Sequence, residues 1–380
     1  MKKSFMMGMF ALAALAMTSC SMNDVVSEQD NAINFGTYTG RGVQAKSAEL
    51  NNTNLTNFGV FASYTAEEDF SSTSPLNFIF NQLVTGSTGT PGSWTYSPKK
   101  YWPTDQDEKI SFFAYAPYET GKCIKVSSVN SATGCPVINY TLDKDILHEA
   151  EDFVANVLVN ETRTSNSVNP DPNQRDVKFT FMHELTRVAF FAKLDREAYN
   201  ATNGNLQTQV NIKNITFGGT NLVTSANYTF AAIDNNRGTW EAIVSGKDLD
   251  VTKLIERSNE DLNGYVEWGY RLKNTEEQNL FGADDYLFLI PMNGITGINA
   301  QNVIFTIDYD IVTVDNSLNK GYSVTSATKV ITIPEAYLKQ GTAYNFNLTF
   351  NLNEVVFDAE VSAWDTVTGS ENVDWNDVDK

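Results

Sequence analysis

The sequence predicts an all-β protein made of sandwiches, on three observations. Apolar and polar residues alternate with period two along one run after another. Clusters of Gly, Asn and Ser separate the runs. Convincing helical periodicity is scarce. With 380 residues the chain has room for about two domains of roughly 150 residues each. A composition of 42% apolar and 19% charged residues is that of a chain that buries a core, not of a disordered one.

The first segment reads as an address. Lys2 and Lys3 precede an apolar stretch from Phe5 to Met17, of signal-peptide length and too short to span a bilayer comfortably. It ends in Met17-Thr18-Ser19-Cys20, which resembles a bacterial lipobox. That resemblance implies a signal peptide over residues 1–19, cleavage before Cys20, and lipid on the Cys20 sulfur and amino group. The bland alternative is an ordinary secretory signal followed by a chance cysteine. Ser21 to Asp30 is polar and reads as a tether. No later apolar run reaches the roughly 18 residues of a helical span, so lipid alone would hold the mature protein.

The strands follow in order. Ile33-Asn34-Phe35 is a short one, and Ile110 to Ala116 is almost wholly apolar, as in a central strand buried on both faces. Val177, Phe179 and Phe181 alternate with Lys178 and Thr180, and Val188, Phe190, Ala192 and Leu194 form another set. Val303, Phe305, Ile307, Tyr309 and Ile311 share a face opposite Thr306, Asp308 and Asp310. Tyr344 to Leu352 places five apolar side chains against four polar ones. Leu249 to Arg257 is a candidate short helix, with Asp248 near its start. Residues 163–176 carry no strand pattern and no large aromatic, and suggest a linker or a long surface loop next to one. The expected division is residues 20–46 (tether, first strand and a loop), 47–174 (first sandwich) and 175–380 (second sandwich).

Chemistry-bearing residues are sparse. Acidic groups number 46 and basic ones 27, a net charge of −19, which disfavours nucleic acid or an anionic membrane surface as partner. His148 and His183 are the only two histidines, too few for a multi-histidine metal site. His183 reads as a packed side chain near a strand end. Asp171-Pro172-Asn173 begins like a calcium loop but lacks the glycine and glutamate such a loop needs. Asp284-Asp285 and the pair Asp308 and Asp310 support a glycosidase only if they converge on a cleft. Trp94, Tyr96, Tyr101 and Trp102 are either a sugar-stacking platform or aromatics packed under the first sandwich. Cys123 and Cys135 stand twelve apart; a local disulfide and two unpaired thiols are both open. There is no nucleotide fingerprint or P-loop, so neither a cofactor, a metal nor an enzymatic activity is expected.

Several segments together resemble the fimbrillin family, the subunits of type V pili and related bacterial surface proteins. After the lipobox and the Ile33-Asn34-Phe35 strand come the basic-containing loop Thr39-Gly40-Arg41-Gly42-Val43-Gln44-Ala45-Lys46 and then Leu55 to Ala62. Trp94-Thr95-Tyr96-Ser97-Pro98-Lys99-Lys100-Tyr101-Trp102-Pro103 and Phe112 to Pro117 follow, with Asp152-Phe153-Val154-Ala155 and Phe181-Met182-His183-Glu184-Leu185-Thr186-Arg187-Val188 beyond them. Gly341-Thr342-Ala343-Tyr344, a strand, and Val361-Ser362-Ala363-Trp364 close the series. The resemblance implies two tandem transthyretin-like (Greek-key) β-sandwich domains. It also implies an outer-membrane lipoprotein precursor whose loop is cut by an Arg- or Lys-specific protease, after Arg41 or alternatively Lys46. The matured subunit would polymerise with other fimbrial subunits into an adhesive fimbrium on the cell surface by donor-strand exchange. The expected donor strand is the C-terminal segment with Val355, Phe357, Ala359, Val361 and Ala363 on one face and a bend at Trp364. A strand that stays on its own domain is the bland reading of that segment. The alternative function is a non-polymerising surface lipoprotein that binds glycan or a host ligand.

Overall fold

The computed structural model describes residues 31–39, 49–51, 54–87, 93–119, 121–130, 132–143, 150–163, 176–199, 208–218, 222–233, 235–245, 249–250, 269–272, 275–281, 286–298, 303–334, 337–364 and 370–373. In chain order the first strands are β1 (Phe35–Thr39), β2 (Asn57–Ala66), β3 (Ile79–Thr85), β4 (Lys109–Ala116), β5 (Ile124–Val126), β6 (Val137–Thr141), β7 (Val154–Asn156), β8 (Val159–Thr162) and β9 (Val177–His183). Next come β10 (Thr186–Leu194), the one-turn helix α1 (Arg196–Tyr199), β11 (Thr208–Gly218), β12 (Val223–Thr229), β13 (Thr239–Ser245), β14 (Leu249–Asp250), β15 (Tyr270–Leu272), β16 (Gln278–Asn279) and β17 (Leu287–Leu289). The last are β18 (Val303–Val314), β19 (Tyr322–Ile333), β20 (Thr342–Phe350), β21 (Val355–Ala363) and β22 (Ser370–Val373). The protein is all-β, with α1 the one full helical turn among the described residues.

One sheet runs β1-β9-β7-β4-β2-β3, with β8 also on β4. β4 is buried along its length on both faces, which is what its unbroken apolar sequence requires. Phe113 and Tyr115 point toward a facing sheet, β13-β12-β6-β5, where Phe113 meets Phe230 at 5.4 Å between centroids and Phe153 meets Tyr228 at 5.2 Å. On the opposite face, Phe58, Val60, Ile110 and Phe112 form a separate core closed by Trp94, Tyr96 and Trp102. The aromatic stretch 94–102 is therefore mainly packing: those three side chains are 5–7% exposed, and only Tyr101 is in the open at 44%.

A second pair of sheets follows: β16-β10-β20-β21-β22 with β17 on β10, facing β14-β11-β18-β19 with β15 on β11. Parallel β10 and β20 pair over nine residues, Thr186 to Leu194 against Thr342 to Phe350. Phe190 stacks on Phe305 at 4.7 Å and Phe346 lies 6.1 Å from Phe305, so the two sheets interdigitate through aromatic side chains.

Two later pieces of chain complete the earlier sheets. β9 pairs in parallel with β1 and antiparallel with β7, and the β12–β13 hairpin pairs through β12 with β6. Residues past 175 thus build sheets begun before it. One continuous core runs from Phe61 through Phe190 and Phe305 to Ala359. Leu249 and Asp250 do not open a helix. They pair as β14 with Phe217 and Thr216, because Leu249 buries its side chain completely there; residues 251–268 lie outside the described ones.

The acid pair on β18 also resolves. Asp308 and Asp310 lie two apart on one face, and their register partners on β19 are Thr328 and Ser326. Thr328 Oγ1 donates to Asp308 Oδ1 at 2.6 Å and Ser326 Oγ donates to Asp310 Oδ1 at 2.7 Å, while Lys213 Nζ is 3.1 Å from Asp310 Oδ2. These carboxylates serve cross-strand pairing. Asp284, Asp285 and the 171–173 stretch lie outside the described residues.

Candidate assembly site at the first strand

β1 is an edge strand, and its strand neighbour among the described residues is β9. Its residues Phe35 to Thr39 run parallel to Val177 to Phe181 of β9. Ile33 and Phe35 are 0% and 1% exposed. The Phe35 ring lies 5.1 Å from Tyr96, 5.5 Å from Phe179, 6.1 Å from Phe112 and 6.3 Å from Phe58. The 94–102 stretch lies over the approach to this strand. Ile33 N donates to Lys100 O at 2.9 Å, Tyr96 Oη donates to Ile33 O at 2.8 Å, and Trp102 N donates to Asn31 O at 3.1 Å. Burial pushes the Tyr96 hydroxyl up and the Lys99 ammonium down from their ordinary pKa values. Lys99 Nζ sits 4.5 Å above the Tyr96 ring and 3.5 Å from Asn34 Oδ1.

Taking residues 31–39 away would uncover the backbone edge of β9 and an aromatic trough beneath it. Phe35→Ala alone should cost about 3–5 kcal/mol of stability in the uncut protein, since it empties a site ringed by four aromatics. Urea unfolding of the two proteins checks this, and a loss under about 1 kcal/mol would show that Phe35 is not an anchor.

The sequence-predicted site residues fall in three places. Cys20, Arg41 and Lys46 lie outside the described residues; Arg41 and Lys46 belong to the chain between Thr39 of β1 and Glu49. Cys123 and Cys135 are both free thiols in the structure, Cys123 buried and Cys135 half-buried. Burial raises both thiols, that of Cys135 to about 11. Val355, Phe357, Ala359 and Val361 are on β21, which lies between β20 and β22 in its own sheet. Val355, Phe357 and Ala359 are 0–2% exposed and Val361 is half-buried; the backbone of Ala363 pairs with Thr342. β21 ends before Trp364, where the alternation breaks, and β22 returns antiparallel beside it.

Spacing alone did not disclose a buried polar junction between the sheets. His183 closes β9 with its Nδ1 2.8 Å from Asp152 Oδ2. Glu184, fully buried, has its Oε1 3.6 Å from Arg237 Nε and accepts from Gln340 Nε2. Arg237 Nη2 donates to His183 O at 2.7 Å, and Trp240 Nε1 donates to Glu184 O at 3.0 Å. The signal for it was the charged run His183-Glu184 and Arg187 set inside apolar strand sequence.

These features define a class: an all-β protein whose first strand is a short edge piece over an aromatic trough. The chain belongs to the fimbrillin-like family, whose model matches residues 45–364. A fimbrium subunit, Fim1C of Phocaeicola vulgatus, is 30% identical over 383 aligned residues, spanning 93% of this chain and 94% of that protein. A fimbrial protein from Bacteroides vulgatus has a crystal structure of the same fold, with a TM-score of 0.67 at 24% identity, covering 88% of this chain and 99% of that one.

Proposed function

We propose that this protein is a structural, non-enzymatic subunit of a bacterial cell-surface fimbria that supports adhesion. It is exported as a precursor lipidated at Cys20, matured by an Arg- or Lys-specific protease at Arg41 or Lys46, and polymerised with other fimbrial subunits by strand exchange. Its two pairs of sheets support reading it as the two tandem transthyretin-like domains that the family resemblance implies.

The observation that carries this reading is β1 itself. It is a five-residue edge strand whose anchors, Ile33 and Phe35, are wholly buried, and it joins the rest of the fold through the segment that holds Arg41 and Lys46. A cut there turns β1 from a covalent part of the fold into a peptide that can leave. Its departure exposes unpaired N–H and C=O groups on β9 together with apolar surface, and an incoming strand with alternating apolar side chains satisfies both. The donor is the C-terminal segment that includes Val355, Phe357, Ala359, Val361 and Ala363. A head-to-tail contact of this kind does not close on itself and yields a filament.

N-terminal sequencing of subunits taken from polymer tests the reading, with Gly42 or Ser47 expected as first residue. Polymer subunits that still begin at Cys20 would remove the maturation step. Separately, Cys20→Ala should abolish lipid labelling and leave precursor in the wrong compartment; normal labelling in that variant would exclude Cys20 as the attachment point.

A further inference from the structure

Glu49 is the first described residue after the 40–48 segment, and its carboxylate is buried, at 3% exposure. Its Oε2 accepts from Arg187 Nη1 at 2.7 Å, and its Oε1 accepts from Trp364 Nε1 at 2.9 Å. The next amide, Leu50 N, donates to Asp152 Oδ2 at 2.9 Å, the oxygen that also faces His183 Nδ1. The His183 ring lies flat on Trp364, with centroids 4.0 Å apart and planes 8° from parallel. Phe288 is nearly parallel to the same indole, at 5.6 Å. The Arg187 guanidinium stands 5.5 Å from the indole centroid, and Trp364 N donates to Gly341 O at 3.0 Å. The place where the chain leaves β21 is therefore held by ring, edge and backbone at once.

Sequence distance makes this arrangement informative. Glu49 and Trp364 are 315 residues apart, yet one sits just past the candidate cleavage residues and the other just past the donor segment. Trp364 cannot swing away without removing a donor from a buried carboxylate, and a buried charge stripped of its donors costs more than the bonds themselves contribute. Glu49 cannot leave without releasing Trp364 Nε1 and Arg187 together.

In the intact chain Glu49 is tethered covalently on both sides, to β1 upstream and to β2 downstream. After a cut at Lys46 it is the third residue of a new chain, and after a cut at Arg41 the eighth. Residues near a free end fray, because one of the two constraints on their position is gone.

We propose that Glu49 and Trp364 form a latch that couples the N-terminal maturation segment to the C-terminal strands. While Glu49 is seated, β21 and β22 stay on their own subunit; once the upstream chain is cut and Glu49 loosens, Trp364 is released and those strands become available for donation. The latch rests on the strand-exchange reading given above and supplies its order of events: cleavage first, donor release second.

Hydrogen exchange on the uncut full chain tests it with two variants, Glu49→Gln and Trp364→Phe. The second keeps an aromatic ring against His183 and Phe288 but removes the N–H donor. In both, amides of Val355–Ala363 and of 370–373 should exchange about 10- to 100-fold faster than in the parent, the scale expected from losing one hydrogen bond to a charged group. Amides of β2 and β4 should keep their parent rates. Cutting the parent chain should accelerate the same C-terminal amides. Unchanged C-terminal exchange in both variants overturns the latch, and so does a uniform acceleration over all strands, which would make Glu49 a contributor to global stability only. Failure of the two readings is separable. Selective acceleration together with no polymer after cutting keeps the latch and removes strand exchange; normal polymer with unchanged exchange does the reverse.

Discussion

A variant carrying both Arg41→Ala and Lys46→Ala will export, carry lipid and melt at the temperature of the parent precursor, yet form no polymer. Phe35 keeps its four aromatic neighbours and the Phe35–Thr39 ladder on β9 remains. The trough stays filled by a strand of the same chain, and a covalently attached occupant competes at an effective concentration on the order of millimolar that a free subunit does not reach. The effect is therefore complete loss, not attenuation. Unboiled gel electrophoresis of surface material reads it directly: a ladder from the parent and a single band from the variant. A ladder from the double variant would mean that polymerisation does not require the first strand to leave.

The second large effect concerns β21. Phe357 is 2% exposed, with its ring 5.4 Å from Phe346 and 6.0 Å from Phe305, so Phe357→Ala should destabilise the monomer by about 3–5 kcal/mol through the cavity it leaves. This residue has a packing role in its own subunit before any exchange, and its loss alone says nothing about donation. Val361, opposite Tyr344 in register and half-buried, separates the two roles. In protein from which the N-terminal strand has been removed, Val361→Asp should abolish polymer while lowering the monomer melting temperature less than Phe357→Ala does. Normal polymer from Val361→Asp would rule β21 out as the donor.

The contrast between these two side chains marks the limit of what alternation along a strand encodes. Period-two alternation identified the faces of β9, β18, β20 and β21, because a half-buried strand must place apolar residues on one side. It could not say which strands would pair. β12 is the clearest case. Its sequence, Val-Thr-Ser-Ala-Asn-Tyr-Thr, shows little alternation, yet residues 223–228 are all buried. Two of its polar side chains are bonded across the ladder from β6: Ser225 Oγ lies 2.9 Å from Thr141 Oγ1, and Asn227 Oδ1 accepts from Asn139 Nδ2 at 3.4 Å. A partner more than 80 residues away supplies those bonds, and no local pattern encodes it. Ile311 is a smaller instance of the same limit. The expected face of β18 holds through Tyr309, and then Asp310 and Val312 are buried and Ile311 is only half-buried. A register shift on the neighbouring β11, between Ile212 and Asn214, sits beside that change of phase. The assembly site divides the same way. The trough under Phe35 is made of aromatics the sequence displayed, whereas the junction of Glu49, Asp152, His183 and Trp364 joins residues from four remote segments.

One feature of that junction bears on mechanics. β9 ends at His183 and β10 begins at Thr186, so the first sheet passes into the second through Glu184 and Leu185 alone, both fully buried. Two sandwiches joined by an exposed linker would bend and stretch at the linker under load, since relative motion is the default for loosely joined domains. Here the crossover has no slack to pay out, and the β12–β13 hairpin straps the later chain back onto the earlier sheet. Pulled from its ends, each such unit would transmit tension as a stiff strut, and the compliance of a fibre built from it would lie in the contacts between units.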